Sequence, residues 1–569
     1  FLGYDQLQSG ESWSYRLVAG AGTGAASPLG TVSGTGDLTF STGARVRTGT
    51  GFIDLAAGGD LRFADAGSVA TLGRPDTTVA DFPIPNINRN PAVFPVSGGD
   101  IRLDIGGDLA AAAPDQLITG WLFRQGNLTQ DGTLGSGNDS RTAWWVRFVD
   151  FRQGIGALGG GNIEARIRGD AVNPGFSILT TGRLEGAAGT LPDPSRLVIR
   201  GGGDLDLQVG GDVLGGVFHL GAGQGRVAVG GKLDAARAVT VAGQSRPVYS
   251  QFGLGTGAWD LQARQSAHVG GVFTPTLLPL VTANSRSSYF STYAADSAFR
   301  VTSVAGDLVL ENDSEVIGAA FPPLLAGDAG NDAATAAVSL YPPSLTAAAL
   351  SGDLGIARAL TLFPAARGGF DLFAGGSLII DANVLVPDVA VGRLPSALRP
   401  SPVYGSAIND VLRPSATQSL DHSNPPLHLG DAQPLRIAAG ESVRGQAGAI
   451  SLFAPKSLRL YALGNVENFW MFGQHLADTD VTRISAGGDV RFTTGRGPGG
   501  GLLVSTAGFE IGGPGRLEVL AGGDIDLGTS KGIVTRGNLN NPFLPDVGAG
   551  VLAMAGLGRT PDYELFATR

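Results

Sequence analysis

Two glycine-rich strings in this chain have the spacing of phosphate and acyl-group chemistry. Gly495-Arg496-Gly497-Pro498-Gly499-Gly500 fits G-x-G-x-x-G, in which backbone amides approach a pyrophosphate at a helix N-terminus. Gly528-Thr529-Ser530-Lys531-Gly532 fits G-x-S-x-G, where a nucleophilic serine rides a sharp strand-to-helix turn. Both chemistries need a helix next, but the adjoining residues are Leu502-Leu503-Val504 and Ile533-Val534-Thr535, which read as strand. Neither nucleotide binding nor a serine nucleophile is therefore expected. Arg168-Gly169-Asp170 spells an integrin-type tripeptide, but it falls at a glycine-aspartate corner after the alternating Ile163-Glu164-Ala165-Arg166-Ile167, and the corner accounts for it. Gly512-Gly513-Pro514-Gly515-Arg516-Leu517 comes nearest a calcium-binding nonapeptide and has Leu517 where the ligand aspartate belongs.

The remaining reactive side chains are sparse or dispersed. His219, His268, His422, His428 and His475 lack metalloprotease spacing, and only His422 and His428 lie close together, near Asp421 and Asp431. Cysteine is absent, which removes disulfides, thiolate metal sites and a thiol nucleophile together. The 50 acidic residues offer no distinctive carboxylate pair, so neither catalytic residues nor a metal or other cofactor is assigned. Aromatic clusters are the one candidate contact chemistry. Trp121, Trp144, Trp145, Trp470 and Phe472 could stack on a sugar or receptor from loops, or else plug those loops onto the core.

What must position these residues is a repeat. Gly-Gly-Asp ends at Asp60, Asp100, Asp108, Asp204, Asp212, Asp489 and Asp524, flanked by period-two runs such as Leu205-Asp206-Leu207-Gln208-Val209 and Ile101-Arg102-Leu103-Asp104-Ile105. With 90 glycines in 569 residues, no collagen period, 43% hydrophobic residues and corner spacings near 8, 20 and 40, the pattern suits short strands coiled into rungs. The corner glycines are expected to supply a positive φ, and the aspartates to accept nearby backbone N–H groups. A net charge of −10, with both signs scattered and only three lysines, argues against nucleic-acid binding.

The expected fold class is all-β, a single parallel β-helix over 1–569. Parallel rungs are expected at 36–108, 197–271 and 435–527, with Leu205, Leu207, Val209, Ile525 and Leu527 inside and Asp206, Gln208 and Asp526 outside. Loop excursions are expected at about 113–160, 274–300, 320–349 and 386–434, the third with alanine runs suited to a short helix and the last rich in proline.

Tandem Gly-Gly-Asp-ϕ-x-ϕ units (ϕ apolar), Ser12-Trp13-Ser14-Tyr15-Arg16-Leu17-Val18-Ala19-Gly20 and Asp480-Val481-Thr482-Arg483-Ile484-Ser485-Ala486-Gly487-Gly488-Asp489 resemble the filamentous haemagglutinin-like exoproteins of Gram-negative bacteria. The resemblance implies a right-handed parallel β-helix, export through a dedicated outer-membrane secretion partner (two-partner secretion), and an extracellular place at the bacterial cell surface. The implied function is that of an adhesin or structural surface filament. Loop excursions, which in repeat proteins often gather on one binding face, are expected to contact a surface glycan or receptor, and unpaired strand edges on the terminal rungs are expected to stack end to end on other copies or segments of the same chain. The chain shows no Asn-Pro-Asn-type secretion motif, so the resemblance makes it an interior or carboxyl-terminal portion, or a processed product. A polysaccharide-active β-helix enzyme and a calcium-stabilised β-roll are the alternatives.

Overall fold

Alternating apolar residues bury one strand face only if another strand covers each edge. In the computed structural model that cover is the corresponding strand of the neighbouring rung. The structure describes residues 7–558 apart from 23, 25, 26, 28, 79–91, 137–140, 279–287, 322–339, 402–421, 497–499, 539 and 540. These form an all-β parallel β-helix whose chain divides into two compact units. The first comprises Phe1–Thr302, Glu311–Pro342 and Gly392–Asp410, the second Ser303–Leu310, Pro343–Val391 and Val411–Arg569.

In the first unit Tyr15–Ala19, Ile53–Ala57, Ile101–Ile105, Ile163–Ile167 and Leu205–Val209 stack in parallel register, continued by the latter parts of Val217–Val229 and Ser250–Ala263. Leu55, Leu103, Ala165, Leu207, Val227 and Leu261 fall in one column and are buried. Two further faces complete each turn, one through Leu61–Phe63, Leu109–Ala111 and Ala171–Val172, the other through Ser68–Thr71, Gly154–Ala157 and Gly175–Ile178. On the latter face Phe176, Phe218 and Phe252 stack with centroids 6.2 and 4.9 Å apart.

The second unit repeats this plan. Ser344–Ala349, Gly369–Ala374, Leu435–Ala439, Leu458–Ala462, Val481–Ala486, Arg516–Ala521 and Gly550–Met554 form one parallel face. Leu452–Ala454, Met471–Gln474, Phe509–Gly512 and Ile533–Arg536 belong to another.

The corners correct the reason assigned to glycine at most copies, although Gly36, Gly202 and Gly203 do have the expected positive φ. Asp37 Oδ1 accepts the backbone N–H of Asp60, and the relay continues through Asp108, Asp170 and Asp212 to Lys232 at 2.8–2.9 Å. In the second unit Asp307, Asp353, Ser377, Ser442, Asn465, Asp489 and Asp524 form an equivalent relay. The aspartate therefore serves the next rung rather than its own turn. Gly107 and Gly211 are glycine because a Cβ there would stand 2.0 Å from the Oδ1 of Asp60 and Asp170 respectively, and neither has a positive φ.

Other expectations hold in part. Leu205, Leu207 and Val209 are buried, Asp206 half-buried, and Gln208 and Asp526 exposed. Ile525 and Leu527 are only half-buried, because among the described residues no later strand pairs with Ile525–Asp526. The runs expected to be wholly parallel contain antiparallel pieces. Leu197–Gly201 pairs with Thr180–Leu184, Arg237–Val241 with Gln244–Val248, Arg74–Pro75 with Pro95–Val96, and Gly495–Arg496 with Leu502–Leu503. The second of these turns at Ala242-Gly243, both at positive φ, the geometry that closes a two-residue hairpin.

The excursions also shift. Residues 113–153 contribute Leu122–Gln125 and Ala143–Val146 to an antiparallel sheet, while Gly154–Ala157 already belongs to the ladder. The short helix is Ser314–Ala320, capped by Asp313, whereas Ala347 and Ala349 lie inside a strand because alternation turns them inward. Pro322, Pro323, Pro402, Pro414 and Asp421 lie outside the described residues.

Candidate functional site

The aromatic residues singled out for contact prove to be mostly interior. Trp144 is buried, its ring 5.5 Å from Phe290, and it fits because Gly182 on the neighbouring strand leaves room for it. Trp121 packs edge-on against Phe151 and His219, and Trp145 joins Phe94 and Ala143 in a small core. The faces of all three rings are occupied by the core, the plugging role rather than the contact role. Trp470 and Phe472 remain half-buried, rings 5.6 Å apart, while Phe469 and Met471 alternate inward and are fully buried.

The glycine motifs behave as strand connections. Gly495–Arg496 and Leu502–Leu503 make a hairpin, with Gly497, Pro498 and Gly499 outside the described residues. Ser530 Oγ donates to Leu527 O at 2.6 Å, and strand Ile533–Arg536 comes next. Arg168 pairs with Asp104 at 2.9 Å, and Asp170 is a link in the corner relay. At Gly512–Leu517 the carbonyl of Pro514 accepts from His475 Nδ1 at 2.7 Å, so a histidine fills the turn. Among the described residues no group of three His, Asp or Glu stands where it could hold a metal.

The histidines act as packing and anchoring groups. His219 lies between Trp121 and Phe273 with Nδ1 unpartnered among the described residues, and burial lowers its pKa to about 3. Folding thus keeps the ring neutral, so the stability it contributes is complete above the unfolded pKa near 6.5 and drains away as pH falls towards 3. Between pH 7 and pH 5 the wild type is expected to lose about 2 kcal/mol more than His219→Leu, read from denaturant unfolding at the two pH values. Equal losses would show that His219 is not the titrating group.

In the second unit a buried polar knot fixes the ends of the proline-rich excursion. Asp388 Oδ1 accepts Leu427 N–H at 2.8 Å, and Oδ2 accepts from Gln474 and Asn541 at 2.8 and 3.2 Å, with His422 Nδ1 3.6 Å away. Lys456 Nζ meets Asp431 Oδ2 at 2.5 Å with both side chains buried. Beside them His428 has its pKa lowered by burial and by the Lys456 charge. The carboxylates and Lys456 are satisfied from within the cluster, whereas His422 Nε2 and His428 Nε2 are buried without a partner among the described residues.

The solvent-facing rows of the ladder are a different matter. Side chains at matching positions of successive rungs stand about 4.8 Å apart, and like charges directly opposite one another are destabilising. The first unit obeys this rule for arginine. Its outer row runs Arg16, Asp54, Arg102, Glu164, Asp206, Arg226, Asp260, with Arg16–Asp54 and Arg102–Glu164 ion pairs at 3.0 Å and no two arginines adjacent. In the second unit the outer row runs Asp371, Arg436, Arg459, Arg483, Glu518. Arg436 is held by Asp371 at 2.6 and 2.9 Å and Arg483 by Glu518 at 2.6 Å. Glu518 is pushed upward in pKa by burial, but its bonds to Arg483 and Arg516 outweigh that and hold it below the usual carboxylate range. Arg459, between two other arginines, is exposed and makes no ion pair among the described residues.

Alongside runs a second row, Ala348, Phe373, Ala438, Tyr461, Ser485, in which Phe373 is 42% and Tyr461 50% exposed. Together the two rows line an open concavity of 670 Å³ on the second unit's sheet. The parallel ladder is what brings these residues together, each rung adding one arginine or one ring at a fixed interval. Reading the chain linearly misses them. Aligning Leu435-Arg436-Ile437-Ala438-Ala439, Leu458-Arg459-Leu460-Tyr461-Ala462 and Thr482-Arg483-Ile484-Ser485-Ala486 on the alanine that closes each strand puts the arginines in one column.

Comparison with protein-family models, with characterised proteins and with solved structures finds no match.

Proposed function

We propose that this chain is a secreted cell-surface structural or adhesive protein, a β-helical scaffold segment that makes its contacts through outward side-chain rows and loop excursions. The observation that carries this reading is the cross-rung relay, in which corner side chains from Asp37 to Asp212 and from Asp307 to Asp489 each accept the backbone amide of the next rung, in a chain without cysteine. Stability distributed in this way leaves the outward positions free for contact. The sequence resemblance supports the same reading and adds an outer-membrane secretion partner and a Gram-negative source, while end-to-end contacts with like segments are proposed from the unpaired edges a terminal rung presents.

The test is location. Antibodies raised against the folded chain are expected to label intact producing cells, or to detect the protein in the medium. Labelling only after permeabilisation would overturn the proposal.

A further inference from the structure

We propose that the concave face of the second unit binds an extended, carboxylate-bearing polysaccharide, with Arg459 as the anion-binding group and Phe373 and Tyr461 as sugar platforms. This rests on the surface-contact reading and names the ligand class of that same face.

Three observations converge. First, Arg436, Arg459 and Arg483 are an uninterrupted run of cations in a ladder whose other outer row sets no two arginines side by side, in a chain with a net charge of −10. Asp371 and Glu518 neutralise the two ends of the run, and the central guanidinium is left for an external anion. A planar guanidinium pairs two N–H groups with a carboxylate, which suits a uronate ring.

Second, Phe373 and Tyr461 stand two rungs apart in the adjacent row, with only Ala438 between them. Two ladder intervals are roughly 10 Å, comparable to two pyranose rings in an extended chain. Ala438 leaves the gap between the rings unfilled, so a sugar can lie on each ring in turn. Third, the rows run parallel. A polymer lying across the rungs, along the two rows, meets rings on one side and the arginine run on the other, which matches a sugar chain with an apolar ring face and a charged edge.

The probe is polygalacturonate, with its fully methyl-esterified form, dextran and heparin as comparisons, titrated calorimetrically onto the full chain at low and moderate salt. Binding of polygalacturonate that weakens with salt, without comparable binding of the esterified polymer or dextran, is the expected result. Equal binding of the neutral polymers, or binding of heparin alone, overturns the proposal.

Arg459→Gln is expected to weaken polygalacturonate about tenfold with the melting temperature unchanged or raised, since it also relieves the stacked like charges. Phe373→Ala combined with Tyr461→Ala is expected to cost at least as much. Arg102→Gln, in the first unit's mixed-sign row, should leave binding unaltered. If Arg459→Gln binds like wild type, the assignment fails. Antibody labelling of intact cells separates the two readings: a protein found at the surface that ignores uronate polymers sinks this inference alone, whereas a protein confined inside the cell sinks the surface reading.

Discussion

Leu207→Asp is expected to destabilise the first unit by several kcal/mol. Leu207 is fully buried between Ala165 on one rung and Val227 on the next. A carboxylate placed there has no cation within the column, and an unpaired buried charge either pays its desolvation or takes up a proton. Urea unfolding monitored by far-UV circular dichroism is the measurement, and the midpoint should shift far more than for Asp206→Ala. That neighbour points outward and is half-buried, so its removal should fall within the small range of surface substitutions. Comparable midpoints for the two variants would mean that Leu207 is not a core position.

The second large effect belongs to the buried pair beneath the proline-rich excursion. Asp431→Ala is expected to cost about 3–5 kcal/mol, because it strands Lys456, itself only 4% exposed, without its counter-charge. Replacing both partners tests the mechanism: Asp431→Leu with Lys456→Met should recover most of the loss, since apolar residues of similar volume often substitute for a buried ion pair at little cost. If the double variant is as unstable as the single one, the loss arises from the backbone of the excursion rather than from charge.

The parts of this molecule that were legible in its sequence are those governed by local alternation. Leu205, Leu207 and Val209 announce themselves because period two forces them onto one face, and the Gly-Gly-Asp spacing marks where each face ends. What escaped depends on the neighbouring rung. The steric reason for Gly107 is the Asp60 carboxylate far earlier in the sequence, and no local window contains both. Trp259 is fully buried because Gly225, opposite it on the preceding rung, leaves space where a Cβ would meet its ring. The excursions lack any period, so the antiparallel sheet that receives Trp144 could not be read from the residues around it. The arginine run lay between these cases, invisible to motif spacing yet plain once rungs are aligned on their corners.

The corner relay also has a direction. At every link described, the side-chain oxygen belongs to the earlier residue and the amide to the later one: Asp60 serves Asp108, Asp108 serves Asp170, and Asp489 serves Asp524. A rung that has closed therefore already holds the acceptor that its successor needs, and waits on no side chain still to come for its own corner amide. A coil that grew from the amino end would find the acceptor for each new corner amide already in place, like a zip whose slider moves one way. A polypeptide that emerges through a narrow opening amino end first can lock each turn as it appears, and that progressive closure opposes its slipping back.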